Sequence, residues 1–359
     1  MGDSTPTEAE NVDPLPLIEV GVLRLDKKEG KQVMNILEMV KAYGGMVFGK
    51  TDYWHPDMNM NSELSLGELR KYPVAMFTKA DYFGKFDQNK IPLVQVDNDL
   101  CYLPVTIAQY ALGNYDRYLD TRNPESLKAL MICADWFVDQ LVECRPKLWG
   151  WQNEHDKDIY VLKKPWLSAL SQGQALSVLA RAYQEVHQAK YLETALLALK
   201  AFFVPIEQGG LVARLDEGEF FEEYPSTIPS FVLNGFIFAL WGLWDLFLVS
   251  ESAEAKERYE VGLKTLKEHI KDYKIGWGWS RYDLYPFQIT DIASIFYHKL
   301  HIQQLRAMYR LTQYEPFIKI AEAWERGQHN KLAYTLATGY KVIHKLSIRR
   351  KSSYVPNVK

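Results

Sequence analysis

Two tyrosine-bearing segments contain the residues best suited to chemistry. The first is Phe221-Glu222-Glu223-Tyr224-Pro225, and the second runs from Arg281-Tyr282 to His301. Each precedes an apolar helical pattern, so each is predicted to be a loop at one rim of a helical scaffold. Together they supply carboxylates and phenols without a serine, cysteine or metal constellation. This set favours proton transfer on a polar substrate over acyl or phosphoryl transfer.

The glutamate pair of the first segment is the leading candidate for acid/base chemistry. Pro225 disfavours a helical conformation for Tyr224, which predicts an irregular loop. Phe220 and Phe221 precede the pair, and a carboxyl held against apolar surface acquires a raised pKa that makes it usable as an acid or base. A solvated acidic turn is the alternative.

Tyr282 and Tyr297 stand near the two ends of the second segment. A phenol ordinarily titrates at about pH 10, so a tyrosine that acts as a base needs a cation or hydrogen-bond donors beside it. Arg281, His298 and Lys299 are sequence neighbours that could provide them. The structural alternative is that these tyrosines pack at the start of a helix.

His298 and His301 are spaced i, i+3, which raises the question of a metal site. Zinc hydrolases with paired histidines also need further ligands and a general base, such as the Glu of H-E-x-x-H, and Lys299 and Leu300 fill the gap here. We therefore predict no metal, and we expect both histidines to form hydrogen bonds in a polar cleft. No Gly-rich phosphate loop and no G-x-S-x-G elbow occurs, so no cofactor is predicted.

Composition narrows the class of protein. The 359 residues are 47% hydrophobic and 24% charged, as in soluble globular proteins. A net charge of −3 provides no basic field for nucleic acid. The three cysteines lack C-x-x-C spacing and no signal peptide is visible, so we expect free thiols in a soluble, cytoplasmic protein. The apolar run Phe231–Val249 is predicted to be a buried helix rather than a membrane span.

Helical periodicity recurs along the chain, and strands are scarce. Asn123-Pro124 is a helix start signal, and apolar residues then follow at i, i+3, i+4 and i+7. The predicted helices form pairs joined by short turns, as antiparallel neighbours require. The pairs are Val105–Tyr118 with the helix after Asn123, Trp166–His187 with Tyr191–Phe202, Pro229–Val249 with Ala253–Tyr273, and Tyr297–Leu311 with Pro316 to about Leu346.

Long aromatic- and Gly-rich stretches separate these pairs. When successive hairpins pack side by side, the short turns fall at one end of the assembly and the long connections at the other. The sequence thus predicts a mainly α protein with an incomplete α/α barrel of about four hairpins over residues 101–350. Residues 1–100, with a helix at Lys31–Tyr43, are expected to form a partly irregular or extended segment that wraps the barrel, and 351–359 a tail.

Several separate motifs resemble, in the same order, those of the D-glucuronyl C5-epimerases. The likeness runs from about Tyr72 to Leu311 and is strongest in the C-terminal half. Its stretches are Pro104–Tyr110, Ser168–Ala175, Glu222–Phe236, and Tyr282-Asp283-Leu284 with Tyr297-His298-x-x-His301. The resemblance implies a catalytic domain of the incomplete α/α-barrel type that inverts C5 of glucuronate within heparosan-type polysaccharides.

The resemblance also implies roles for individual residues. Glu223, Tyr224, Tyr282 and Tyr297 are expected to line the site, with Glu223 and Tyr297 as the two proton-transfer groups. We expect a substrate-binding role for His298, His301, Arg281, Lys299, Tyr102, Gln109 and Tyr285. The partner implied is an acidic polysaccharide, with no nucleic acid and no membrane span, and a homodimer is one form the protein could take.

Departures from the animal members bear on the substrate. Those members have substantial β-rich structure outside the helical domain, for which this chain has little room. They also have Arg-His after the Tyr-Asp-Leu motif, where this chain has Tyr285-Pro286, so the group that neutralises the uronate carboxylate is not identified. The residues leave three alternatives open: a polysaccharide lyase, a glycoside hydrolase with Glu223 and Asp283 as its carboxylate pair, and a carbohydrate-binding protein without catalysis.

Overall fold

The structure is a computed structural model that describes residues 53, 55–64, 67–96 and 99–347. The predicted helix at Lys31–Tyr43 and the tail at 351–359 lie outside these residues, and the domain boundaries stay a prediction. Nine α-helices form the described part. They are α1 (Pro104–Thr121), α2 (Pro124–Asp139), α3 (Ala169–Val186), α4 (Ala189–Leu199), α5 (Leu233–Ser250), α6 (Ala253–His269), α7 (Ile295–Thr312), α8 (Glu315–His329) and α9 (Lys331–Ser347).

Short antiparallel strands accompany the helices. They are β1 (Lys85–Phe86), β2 (Pro92–Val96), β3 (Asp99–Cys101), β4 (Val142–Arg145), β5 (Leu148–Gly150), β6 (Val212–Leu215), β7 (Gly218–Phe221), β8 (Lys274–Ile275) and β9 (Trp279–Ser280). The first three strands belong to the N-terminal segment, which is partly extended as predicted. The other six form hairpins within the long connections, where the sequence predicts only loops.

The first eight helices form four hairpins, which confirms the predicted incomplete α/α barrel. The first helix of each pair is called an inner helix here, and α1, α3, α5 and α7 each have 18 residues, or about 27 Å. The inner helices pack in chain order, α1 on α3, α3 on α5, and α5 on α7. Each second helix packs on the inner helix of its own pair.

The same two-residue turn ends every inner helix. The residue after each one adopts the left-handed conformation and donates its backbone N–H to a carbonyl oxygen of the last helical turn. These residues are Arg122, His187, Glu251 and Gln313. Because the turns are this short, the inner helices all run in one direction. Their N-termini therefore share the end of the barrel at which the long connections lie.

Helix α5 occupies the buried inner position that the sequence predicts. It is long and apolar enough to cross a membrane by length and composition alone, but 72% of that stretch is buried inside the protein. Gly173 of α3 and Gly242 of α5 allow the two helices to approach closely, since a Cβ at position 242 would lie 2.0 Å from the Gly173 carbonyl oxygen. The most apolar stretch of the chain is thus accounted for by helix packing.

A buried ion pair also joins α3 to α5. Arg181 Nη1 donates to Asp245 Oδ2 at 2.6 Å, and both side chains are less than a tenth exposed. We expect Asp245→Asn to lower the free energy of unfolding by about 3–5 kcal/mol, because the guanidinium stays buried without its counter-ion. Denaturant unfolding measures the loss. As a control, Glu254→Gln removes the partner of the half-exposed Lys200 and should cost at most about 1 kcal/mol, and equal losses would contradict the prediction.

The prediction of a single helix from Pro316 to about Leu346 is wrong in one respect, because the helix is interrupted at Asn330. This residue is extended, with φ −79° and ψ 113°. Its side-chain oxygen accepts the backbone N–H groups of Leu332 and Ala333. An asparagine that caps the following turn competes with continuation of the preceding helix. Two helices, α8 and α9, therefore form where apolar periodicity predicts a single one.

Candidate active site

A cleft of about 380 Å³ opens where the inner helices begin. Its lining comes from the N-terminal segment, from the first two turns of α1, α3, α5 and α7, from the connection between β5 and α3, and from the loop that follows β7. Backbone N–H groups at a helix start carry a partial positive charge that favours anions, by about 0.3–1 kcal/mol at exposed sites. The backbone thus makes this end of the barrel favourable for a negatively charged ligand.

The two adjacent glutamates have different surroundings. Glu222 accepts the N–H and hydroxyl groups of Ser230, at 3.1 and 2.5 Å, and the N–H of Phe231, at 2.9 Å. Three hydrogen bonds to one carboxylate fix the loop between β7 and α5. Glu223 instead lines the cleft. The two side chains after β7 thus face different surroundings, so that Glu222 holds the loop while Glu223 is presented to the cleft.

The Glu223 carboxyl lies against the first turn of α5. Its Oε2 accepts from Asn234 Nδ2 at 3.5 Å, and the residue is only 4% exposed. Burial raises the pKa of Glu223 to about 7, although hydrogen bonding with Tyr224 and the charge of Lys157 act in the opposite direction. A carboxyl that titrates near neutrality can both accept a proton and return it. Glu223 therefore has the properties of an acid/base group.

Three phenols gather beside Glu223. Tyr224 and Tyr297 line the cleft, and Tyr282 lies behind them with its ring centre 4.8 Å from that of Tyr297. Burial, reinforced by the charge of Glu223, raises the pKa of Tyr224 and of Tyr282 well above the usual range. These two phenols stay protonated and can donate hydrogen bonds. The structure brings the four predicted catalytic residues together, and their catalytic roles stay a prediction.

A buried polar cluster stands behind the tyrosines. Tyr160 stacks on Tyr224 with ring centres 4.8 Å apart, and its hydroxyl donates to Asp283 Oδ2 at 2.6 Å. Asp283 is fully buried, at 0% exposure, and does not line the cleft. The carboxylate pair of Glu223 and Asp283 that a hydrolase would need is therefore not presented together to a substrate in this cleft.

His298 and His301 lie inside the protein rather than in the cleft. His298 Nδ1 accepts the Ser280 N–H at 3.2 Å, and its Nε2 lies 3.1 Å from the Trp324 carbonyl oxygen. His301 Nδ1 is 3.0 Å from Ser280 Oγ. Burial lowers the pKa of both rings, to about 3 for His298. Both are neutral, buried groups, and these positions do not fit the substrate-binding role that the sequence predicts.

The other predicted substrate-binding residues are divided between the cleft and its surroundings. Gln109 lines the cleft, and its amide nitrogen lies 3.4 Å from Gln174 Oε1. Four others do not line it: Arg281 donates to the Asp283 carbonyl, Lys299 lies 3.4 Å from Asp57, Tyr102 donates to Asp87, and Tyr285 packs on Phe287. Across the described ranges, no group of three or more His, Cys, Asp or Glu residues could hold a metal ion.

Sequence reasoning missed the contribution of the connection between β5 and α3. His155, Lys157 and Trp166 of this connection line the cleft. The sequence marks the stretch as long and aromatic, but it also places Lys157 between Asp156 and Asp158. Alternating charges of this kind are typical of solvated surface. The proximity of Lys157 to Glu223 depends on tertiary structure and has no local sequence signal.

Comparisons with known proteins point to one family. Residues 147–326 match the family model described as D-glucuronyl C5-epimerase C-terminus. A D-glucuronyl C5-epimerase of Caenorhabditis elegans is 32% identical over 234 residues, which make up 58% of this chain and 37% of the worm protein. An uncharacterized protein of Methanocaldococcus jannaschii is 34% identical over 178 residues, or 48% of this chain and 56% of that protein. The chain thus spans less than two thirds of either relative.

The solved structures that this chain matches are more distant. The unsaturated glucuronyl hydrolase of Bacillus sp. GL1 superposes with a TM-score of 0.43 and 14% identity, covering 61% of this chain and 60% of the hydrolase. The cellobiose 2-epimerase of Spirochaeta thermophila gives a TM-score of 0.46 and 12% identity, covering 70% and 65% of the two chains. Similarities this low do not bear on the choice of substrate or reaction.

Proposed function

Because the chain belongs to the family of the D-glucuronyl C5-epimerase C-terminal domain, we propose that it is a polysaccharide uronate C5-epimerase. It would convert D-glucuronate to L-iduronate within a heparosan-like polymer. The observation that carries the proposal is the Glu223 carboxyl, which is buried, has a pKa raised to about 7, and lines a cleft of about 380 Å³ beside the phenols of Tyr224 and Tyr297. This is a proton-transfer site at a cleft open to a sugar.

The reaction moves a proton and leaves the polymer chain intact. A base removes the hydrogen at C5, and the electron pair of the C5–H bond is delocalised into the adjacent carboxylate as an enolate-like anion. An acid on the opposite face then delivers a proton to C5, which inverts the centre. The activation barrier is high because the enolate-like anion is high in energy. Preorganised hydrogen-bond donors that stabilise this anion are therefore expected to supply much of the catalysis.

Two groups from different connections suit the two faces of the sugar. Glu223 follows β7, and Tyr297 lies in the first turn of α7, and both line the cleft. We assign them the two proton transfers. Tyr224 and Tyr282, whose phenols stay protonated, would donate hydrogen bonds to the developing charge. The positive ends of the inner helices would add to this stabilisation.

Incubation of the chain with heparosan in heavy water, followed by proton NMR, tests the proposal. We expect deuterium at C5 and the appearance of iduronate signals with the polymer length unchanged. Unsaturated ends that absorb in the ultraviolet would indicate a lyase, in which the C5 anion expels the substituent at C4. New reducing ends would indicate a hydrolase. Bound but unaltered, deuterium-free polymer across several uronans would leave a carbohydrate-binding protein and refute the epimerase.

The absence of a side chain at Gly235 leaves space for the Glu223 side chain, so activity should be sensitive to substitution at position 235. A Cβ at residue 235 would lie 2.3 Å from Glu223 Oε2 and 2.8 Å from the Glu223 Cβ. Gly235→Ala is expected to displace the carboxyl and lower turnover on the order of 10²-fold, while the helix itself tolerates alanine better than glycine.

The C5 exchange rate and the unfolding midpoint together measure this effect. Gly339→Ala is the matched control, because Gly339 also lies within a helix and an added Cβ there meets nothing within 4 Å. A Gly235→Ala protein with normal exchange would show that the position of the Glu223 carboxyl is not critical.

A further inference from the structure

Lys157 is the single lysine or arginine among the described residues that line the cleft. His55 and His155 also line it, but a histidine carries a charge only when protonated. The cleft also presents the carboxylates of Glu223, Asp156 and Asp158. An anionic sugar that enters therefore meets more negative than positive side chains. The position of the one permanent cation then decides where an anionic group of the ligand can lie.

The backbone around Lys157 is fixed by hydrogen bonds. Its N–H donates to the Leu162 carbonyl at 2.8 Å, and its carbonyl accepts from Leu162 at 3.2 Å and from Tyr160 at 3.1 Å. These bonds close a short loop that begins and ends at the same pair of residues. The lysine side chain thus projects from a defined point on the wall of the cleft rather than from an unsupported surface strand.

The side chain of Lys157 lies at the end of the cleft where the proton-transfer groups are. Its Nζ is 4.6 Å from the ring centre of Tyr224. Its positive charge acts on the Glu223 carboxyl, whose pKa it lowers against the larger effect of burial. A cation–π contact of this kind stabilises an ammonium over the face of an aromatic ring. The ammonium is therefore placed beside both residues.

The two aspartates that flank Lys157 have a cation of their own. Lys163 Nζ lies 2.5 Å from Asp156 Oδ2 and 3.7 Å from Asp158 Oδ1. Asp156 Oδ1 also accepts the backbone N–H of Lys164 at 3.1 Å. Lys163 thus offsets part of the negative charge next to Lys157 in sequence.

We propose that Lys157 binds the carboxylate of the uronate residue whose C5 hydrogen is transferred. This inference rests on the proposed function and identifies the ligand as a free, unesterified uronate. The carboxyl carbon is bonded directly to C5, so an ammonium on the carboxylate places C5 next to Glu223. The same contact neutralises the carboxylate as it receives the electron pair of the breaking C5–H bond, which makes the proton easier to remove.

Binding of an acidic oligosaccharide and of its uronate methyl ester to the full chain tests the assignment. Calorimetry measures the dissociation constants. The wild-type protein should bind the free acid about 10- to 100-fold more tightly than the ester, as expected for a hydrogen bond to a charged group. Lys157→Met should bind both with similar, weak affinity. Lys157→Arg, which keeps the charge, should retain a preference for the acid. Lys128→Met, at an exposed site on α2, is the control and should behave as the original protein.

The outcomes separate this inference from the proposed function. A preference for the acid that disappears in Lys157→Met supports the assignment even where no deuterium enters C5, which would refute only the epimerase. Deuterium at C5 together with an undiminished acid preference in Lys157→Met would overturn the assignment of Lys157 and leave the epimerase intact. Equal binding of the acid and the ester by the wild-type protein would also overturn the assignment of Lys157.

Discussion

Replacement of Glu223 by glutamine is expected to reduce C5 inversion by about 10²–10⁴-fold, the usual contribution of one positioned acid or base. Glutamine keeps the size of the side chain and its contact with Asn234, so the fold should persist. One proton carrier, Tyr297, remains. The variant should therefore still exchange the C5 hydrogen with solvent in only one of the two epimers, without inverting it. Proton NMR of separate glucuronate and iduronate substrates in heavy water distinguishes the two.

The pH dependence gives an independent test of the same residue. Burial raises the pKa of Glu223 to about 7, and only its ionised form can accept a proton. For the epimer whose C5 hydrogen faces Glu223, kcat/KM should rise as pH increases through about 7 and then level off. This rising limb of the pH profile should be absent in Glu223→Gln. Glu217→Gln, at an exposed site in the β6–β7 turn, is the control. An unchanged limb in Glu223→Gln would assign the titration to another group.

The fold could be predicted because its signal is local and repeated. Apolar periodicity of 3.6 residues predicts the individual helices. The turns between the two helices of each pair are so short that the helices must pack antiparallel, which predicts the four helical pairs. The break at Asn330 could not be predicted, since apolar residues continue on both sides and only the side-chain cap decides. The hairpins in the long connections, such as β6–β7, could not be predicted either. Strands of two to five residues are too short to show a clear alternation of apolar and polar residues.

The candidate site could be predicted only in part, for a different reason. Alternation of short turns and long connections places the segments of Glu223 and Tyr297 at one end of the barrel. The i, i+3 spacing of His298 and His301 shows that both lie on one face of α7, but not that this face packs against Trp324 instead of the cleft. Lys157 is the opposite case, because its flanking aspartates form a pattern typical of solvated surface although the residue lines the cleft. Which side of an element faces the site is a tertiary property.

Replacement of Tyr297 by phenylalanine should leave the fold nearly intact and abolish most turnover. The ring contacts with Tyr282 and Phe296 survive, and the cap of α7 uses the Tyr297 backbone N–H rather than the phenol. Loss of the transferable proton should cost about 10²–10⁴-fold, or about 3–5 kcal/mol of barrier, beyond the effect of a packing change. The residual C5 exchange should occur in the epimer that Glu223→Gln leaves inert, because Glu223 alone now reaches C5.

The control for this variant removes a phenol from the same helix without touching the cleft. Tyr309 of α7 donates its hydroxyl to Glu315 at 3.3 Å, so Tyr309→Phe should epimerise at the original rate. Opposite epimer preferences in Tyr297→Phe and Glu223→Gln would establish one proton carrier on each face of the sugar. Near-normal epimerisation by Tyr297→Phe would instead show that the second carrier is another group. Tyr282 would then be the first to test, since its ring contacts Tyr297 and since burial, reinforced by the charge of Glu223, raises the pKa of its phenol.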